Sequence, residues 1–391
     1  MDIAKIQSYL QEHKIDGWLM ADFHGYNLIA VAMLKPSGMV TRKTVYFIPA
    51  SGEPTALIHA IEKDKYKHLP GKHILFSSYK LFEKQLEDVL KDAKKIAMEY
   101  APMGRLPYVG LVDAGTIEMI RSFGKEVVTS ADLVANFQAR LTDEQIEAHK
   151  TAAKNVIAIK EQAFAFIADS LKNDKTITEF DVVTFILDKF EACGMETADN
   201  PNCSVDANAG NPHYEPSAEN SVTIKKGQLV LIDLWAKVKD SNGIYADIAW
   251  VAYAGTRDEI PQKYVNIFEV LIQARDAAVA YINKHIGTRA VYGAEVDDAA
   301  REVVEKAGYG KYFTHRTGHS ITDHVHGSGP MIDNLETEDM RELQQGHLFS
   351  IEPGIYMDNC GFRTEIDVLI GNDTAEVYTV PLQTELLALL D

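Results

Sequence analysis

The stretch that decides the fold is Leu229–Val238, "LVLIDLWAKV". In a strand, alternate side chains share a face. Asp233 therefore lies with Leu229, Leu231 and Trp235, while Val230, Ile232, Leu234 and Ala236 lie opposite. Both faces are apolar, which marks a buried strand. A carboxylate buried there is costly unless it is paired or bound to a metal. The next strand-like run, 244–255 or "IYADIAWVAYAG", repeats the situation with Asp247 among Tyr245, Ala249 and Val251. Two successive strands that each carry an inward acid ask for a shared cation.

Two further runs extend the pattern. "FSIEPGIYM" (349–357) sets Glu352 at the end of an apolar strand stopped by Pro353-Gly354. "FRTEIDVLI" (362–370) alternates, with Arg363, Glu365 and Asp367 facing one way, as either a solvated ladder or part of a site. Taken singly, each acid reads as an ordinary surface or salt-bridged carboxylate. Four acids in apolar strands form a different object, because a histidine-rich loop lies between the two pairs. That loop, "THRTGHSITDHVHGSGP" (314–330), holds His315, His319, His324 and His326 out of 13 histidines in the chain. His315 and His319 are four apart, but Arg316 stands where a zinc-protease helix carries Glu, and Gly318 disfavours a helix. A further histidine, His213, sits in the Gly/Pro/Asn-rich segment "SVDANAGNPHYEP" (204–216), where functional side chains are often presented. Four carboxylates and one imidazole suit a pair of divalent ions such as Mn, Co, Zn or Fe better than a closed structural zinc site.

The rest of the chain frames this set. Its 391 residues carry a net charge of −18, with 46% hydrophobic and 25% charged residues. Nucleic acid and anionic lipid both require clustered basic residues, so neither is an expected partner. The N-terminus lacks the pattern of a signal peptide, and no run reaches the roughly 18 apolar residues of a membrane helix. Cys193, Cys203 and Cys360 form no CxxC pair and are odd in number, which fits a reducing cytoplasm.

Residues 1–140 alternate strand-like and helix-like runs, an α/β pattern. Strands are expected at 17–21, 44–50, 73–79 and 94–100, with helical spacing in "ALIHAIEKDKYKHL" (56–69) and "LFEKQLEDVLKDA" (81–93). Thr142 and Gln145 form a capping-box pattern that opens a long helix, so a second domain is expected over 141–391. Helices follow at 179–193, 261–286 and 294–307, ended by Gly194, Gly287 and Gly308. Strands fill 228–238, 244–254, 347–352 and 362–370. This second half is an α+β domain with a largely antiparallel sheet.

With these motifs assembled, the whole chain resembles the pita-bread metallopeptidases. That group includes aminopeptidase P, prolidase and methionine aminopeptidase, with creatinase as a metal-free relative. The first 140 residues resemble the creatinase-type N-terminal domain. The resemblance implies that "LIDLWAK" and "YADIAW" supply Asp233 and Asp247, "HRTGHSI" supplies His319, and "SIEPGIY" and "FRTEID" supply Glu352 and Glu365. It further implies that Asp247 and Glu365 bridge two metals, with Asp233 completing one site and His319 and Glu352 the other. His213, His326 and Glu352 would be catalytic, and His315 and Arg363 would support substrate binding, whereas His324 would be incidental.

The implied activity is hydrolysis of Xaa-Pro peptides, as aminopeptidase or dipeptidase, by a water activated between two cations, in a protein that is commonly a homodimer. The pattern departs from the family at several points. The Asp233–Asp247 spacing is longer, with "KDSNG" as the insertion. Ala249-Trp250 replaces Thr-Arg, "SITDHVHG" replaces a glycine-richer run, and Glu338 stands where many prolidases carry arginine. Two alternatives stay open: a dimetal hydrolase of a non-peptide C–N bond, and a metal-free creatinase-like relative.

Overall fold

The computed structural model describes residues 1–391, and the chain divides into two compact units, Met1–Gln138 and Ala139–Asp391. In the first unit α1 (Ile3–Glu12) precedes β1 (Gly17–Asp22), α2 (Leu28–Leu34), β2 (Thr44–Pro49), β3 (Thr55–His59) and β4 (Lys72–Phe76). Then come α3 (Tyr79–Leu90), β5 (Lys95–Met98), α4 (Ala114–Ser122), β6 (Glu126–Thr129) and α5 (Ala131–Phe137). The six strands form one mixed sheet in the order β4-β3-β2-β1-β5-β6. Its two faces carry separate cores. Trp18 and Met20 pack with Ile6, Leu10 and Ile29, whereas Leu19 and Ala21 pack with Phe82 and Leu86.

One expectation fails here. The run 56–69 is not a helix; its first residues are β3, paired antiparallel with β2, followed by a short 3-10 turn at Ala60–Glu62. Ala56, Leu57 and Ile58 are all buried. A short run that is apolar on both faces fits strand and helix alike by periodicity, and pairing decides between them.

The second unit opens with α6 (Asp143–Lys172). Thr142 caps it through the Gln145 N–H, and Gln145 returns a bond to the Thr142 N–H, a capping box. It continues through α7 (Glu179–Ala192), β7 (Met195–Glu196), β8 (Asn202–Val205), β9 (Leu229–Val238) and β10 (Ala246–Tyr253). Next are α8 (Gln262–His285) and α9 (Gly293–Lys306). The unit ends with β11 (Leu348–Ile351), β12 (Gly354–Met357), β13 (Cys360–Arg363), β14 (Ile366–Ile370), β15 (Ala375–Val377) and β16 (Leu387–Ala388). Gly194, Gly287 and Gly308, just beyond α7, α8 and α9, have φ of +66°, +76° and +85°. These are helix-terminating conformations that glycine adopts without strain.

The site is positioned by β9 and β10. They pair antiparallel with Asp247 opposite Trp235 and Ala249 opposite Asp233, so the two acids are diagonal neighbours on one face. The opposite face, Val230, Ile232, Leu234, Ala236, Ala246 and Ile248, packs on α6 and α7. Leu229, Leu231 and Val251, on the acids' own face, pack against α8 and α9. The inserted residues lie in the connection 239–245 and leave this register regular.

Residues 362–370 are not one strand. β13 pairs with β12, β14 pairs with β11, and the chain breaks sheet between them at Thr364-Glu365. The Glu365 N–H instead donates to Ala249 O at 3.1 Å, which docks the break onto β10. The solvated-ladder reading is thereby excluded: Arg363, Glu365 and Asp367 are 6%, 2% and 0% exposed.

Candidate metal centre

Asp233, Asp247, His315, His319, Glu352, Arg363 and Glu365 all line one cavity of about 710 Å³, together with His213, His326, Trp235 and Arg316. Each arrives by a separate local device. His319 lies beside β11, where its N–H donates to Ser350 Oγ at 3.0 Å and its carbonyl accepts the Ser350 N–H at 2.9 Å. Glu352 follows β11; its Oε1 accepts the Ser350 hydroxyl at 3.2 Å and its N–H donates to Thr317 O at 2.7 Å.

At the centre, ligand atoms of Asp247, His319 and Glu365 all lie within 4.8 Å of one another, and all three residues are buried. His319 Nε2 is 3.6 Å from Asp247 Oδ2 and 3.5 Å from Glu352 Oε1. His319 Nδ1 faces Ser320 O at 3.3 Å. A carbonyl only accepts, so Nδ1 carries the proton. Burial first, then the neighbouring His326, holds this imidazole well below its ordinary pKa, hence neutral. Its Nε2 lone pair therefore points at two carboxylates, a donor set that suits a cation between them.

The carboxylates tell the same story. Burial pushes Asp247 and Glu365 well above the usual carboxylate range, and the other acids push them further. Burial also raises Asp233, against the pull of the Arg363 guanidinium, and lifts Glu352 to about 7. Asp233 Oδ1 and Asp247 Oδ1 are buried without a hydrogen-bond partner. Buried acceptors of this kind are rare and costly in native proteins. An oxygen-rich set with one neutral imidazole fits divalent ions of the Mn, Co, Zn or Fe type.

The flanking residues separate into three groups. Arg363, on the cavity wall, is held at both ends of its guanidinium: one Nη pairs with Asp233 Oδ2 and the other donates to Tyr356 Oη at 2.7 Å. His315 Nδ1 donates to Arg316 O at 2.6 Å, so its Nε2 accepts the Tyr356 hydroxyl at 2.8 Å. Asp233, Arg363, Tyr356 and His315 thus form one chain of hydrogen bonds. Burial first, then Arg363, brings His315 down to about 3, so it stays neutral. His326 is exposed to the cavity and packs edge-on against His319, with ring centroids 4.4 Å apart. His213 is exposed on the cavity loop. His324 is absent from the cavity lining and pairs with its neighbour Asp323 at 3.0 Å.

Sequence reasoning missed Tyr356 and His149 and left Asp367 open between a solvated face and a site. Tyr356 links two singled-out residues, yet a tyrosine inside an apolar strand carries no distinctive signal. Asp367 accepts the Asp247 N–H at 2.9 Å and lies 3.9 Å from the buried His149 on α6. Both would have needed the fold. Arg316 and Glu336 line the cavity, whereas Glu338 is exposed and lies outside the lining.

The fold is the pita-bread fold, with a buried acid-and-imidazole centre where an antiparallel strand pair meets a strand break. The profile of metallopeptidase family M24 matches residues 151–372, and the chain belongs to that family. It is 30% identical to a putative dipeptidase, YkvY, of Bacillus subtilis (strain 168) over 257 residues, 66% of this chain and 64% of that one. It is 33% identical to an Xaa-Pro dipeptidase of Lactobacillus helveticus over 173 residues. That match spans 44% of this chain and 42% of the other, so both curated relatives extend beyond their matched parts. Among solved structures, dipeptidase PepE from Mycobacterium ulcerans superposes with a TM-score of 0.74 at 22% identity, over 99% of this chain and 96% of that one. No helix is long and apolar enough to cross a membrane.

Proposed function

We propose that the protein hydrolyses Xaa-Pro peptides, as a dipeptidase or aminopeptidase, with two divalent ions at the buried centre. The observation that carries this reading is the His319 Nε2 lone pair aimed at Asp247 and Glu352 among buried acids with unpartnered oxygens. It also favours a metal enzyme over a metal-free relative. The Xaa-Pro dipeptidase named among the relatives supports the substrate class.

Asp233, Asp247, His319, Glu352 and Glu365 would hold the ions. Bound there, such ions lower the pKa of a water toward neutrality and polarise a carbonyl. The protein's own groups do the rest. Glu352, on the cavity and hydrogen-bonded to Ser350, would accept a proton from the attacking water and pass it to the leaving amine. His213 and His326, both on the cavity, would donate hydrogen bonds to the carbonyl oxygen as it gains charge. The chain from Asp233 through Arg363 and Tyr356 to His315 holds the substrate side of the cavity in shape.

The same proposal includes a creatinase-type N-terminal unit, a homodimer testable by sedimentation, and a cytoplasmic setting, consistent with three unpaired cysteines. The deciding assay uses protein reloaded in turn with Mn, Co, Zn or Fe(II). Xaa-Pro dipeptides, Xaa-Pro-Xaa tripeptides and cyclic amides serve as separate substrates. Cleavage of dipeptides or tripeptides that chelation abolishes is the expected result. Turnover confined to cyclic amides would move the protein to non-peptide C–N chemistry.

A further inference from the structure

We propose that Tyr214 is a positioning residue for His213, clamped from two sides by Glu179 and Asn202. The inference rests on the catalytic reading of His213 above. His213 sits in the connection between β8 and β9, a segment without regular structure. An exposed side chain on such a segment samples many positions, and a hydrogen bond to a developing oxyanion rewards only a narrow range of them. Something must hold the segment still.

Glu179, the first residue of α7, is fully buried, and its carboxylate is spent entirely on this segment. Oε1 accepts the Val205 N–H at 2.8 Å and the Asn208 amide at 3.0 Å. Oε2 accepts the Tyr214 hydroxyl at 2.6 Å and the Val222 N–H at 3.0 Å. One carboxylate thus ties the beginning, middle and end of the segment to the start of a helix. Hydrogen bonds to an ionised acceptor are short and about twice as strong as neutral ones.

The second jaw is Asn202, whose side-chain amide donates to the Tyr214 carbonyl. Asn202 lies on β8 directly opposite Asp233 on β9. Tyr214 is therefore held at its hydroxyl by α7 and at its backbone by the strand next to the metal centre. His213, one residue earlier, is fixed by the same backbone, and its own N–H donates to Asn211 Oδ1 at 3.1 Å. The clamp ties the His213 segment to the strand beside Asp233 through the Asn202 amide and to α7 through the Tyr214 hydroxyl.

A double-mutant cycle tests this, because a residue acting through His213 loses its effect when His213 is gone. Tyr214→Phe removes only the hydroxyl. It should lower kcat at least tenfold with KM within about threefold, while metal stoichiometry stays normal. In a His213→Ala background the same change should alter kcat less than twofold. Glu179→Gln should behave like Tyr214→Phe, and hydrogen exchange across 206–221 should quicken in it. Equal losses of kcat in both backgrounds, or no loss in either together with unchanged exchange, would overturn the clamp. If His213→Ala alone kept full turnover, the fault would lie in the role given to His213. Faster exchange of 206–221 with normal metal content would then still support the clamp as the device that orders this segment.

Discussion

At the scale of single residues, the centre is a problem of uncompensated charge. Asp233, Asp247, Glu352 and Glu365 share one buried space with a neutral His319, and Arg363 is the cation paired with them. Asp233 alone has that pairing, so the two acids opposite His319 depend most on bound cations. Asp247→Ala should therefore drop metal stoichiometry from about two per chain to near zero, whereas Asp233→Ala should leave about one. Elemental analysis after reloading reads this directly, and full metal content in Asp247→Ala would defeat the ligand assignment. The two late histidines separate by the same reasoning. His326 lies on the cavity edge-on to His319, and His324 is turned to Asp323. His326→Ala should lower kcat by about 10²–10³, the usual cost of losing an oxyanion donor. His324→Ala should cost less than about tenfold, and both variants should keep their metals. Equal losses would show that the loop has been read the wrong way round. These residues were legible in sequence because carboxylates inside apolar strands are anomalous wherever the strands end up. Arg316 and Tyr356 were not, and Asp367 was left between a solvated face and a site, because their meaning lies in what the fold sets beside them.

At the scale of elements, legibility followed the strength of local signals. The capping box at Thr142 and the glycines after α7, α8 and α9 fixed helix ends before any packing was known. The run 56–69 misled because its first residues, Ala56, Leu57 and Ile58, are buried on both faces of a strand, so periodicity alone does not discriminate. The break at Thr364-Glu365 is set by two sheets competing for one chain, which no local pattern records. His319 reaches the centre through a comparable long-range contact. Its neighbour Gly318 pairs with Ile332 and lies against β11, where an added Cβ would stand 1.8 Å from Ser350 O. That oxygen is backbone in a buried strand and cannot swing aside. Gly318→Ala should push the His319 segment off β11, costing about 1–3 kcal/mol as overpacking does. Metal affinity should weaken in parallel, since Ser350 would no longer hold the His319 N–H. Chemical denaturation and metal titration test both halves, and a variant with wild-type midpoint and affinity would show that the segment is free to adjust.

At the scale of the whole molecule, each unit closes its own core, and the first unit carries a buried acid of its own. Glu99 is fully buried at the end of β5. It accepts the Trp18 indole N–H at 2.7 Å, the Asn27 amide at 2.7 Å and the Ser130 hydroxyl at 3.2 Å. Burial outweighs these donors and pushes its pKa from 4.5 to about 7. The folded state therefore keeps the proton through a range where the unfolded chain has already released it. Stability from this group is fully present below about pH 4.5 and is lost as pH rises through about 7, up to about 3 kcal/mol in all. Glu99→Gln cannot titrate. In the acid range the folded wild type holds a neutral carboxyl with one O–H to place, whereas the amide brings two N–H donors among those of Trp18, Asn27 and Ser130, so the variant should be less stable than wild type there. The gap between the two proteins should then narrow as pH rises from about 5 to 8, because wild type alone loses stability on ionising. Trp235 and Trp250 lie in the second unit, so the first unit is followed by hydrogen exchange in β1 and β5, the strands beside Glu99. A gap that stays constant or widens across that range would mean that Glu99 is already ionised in the folded protein.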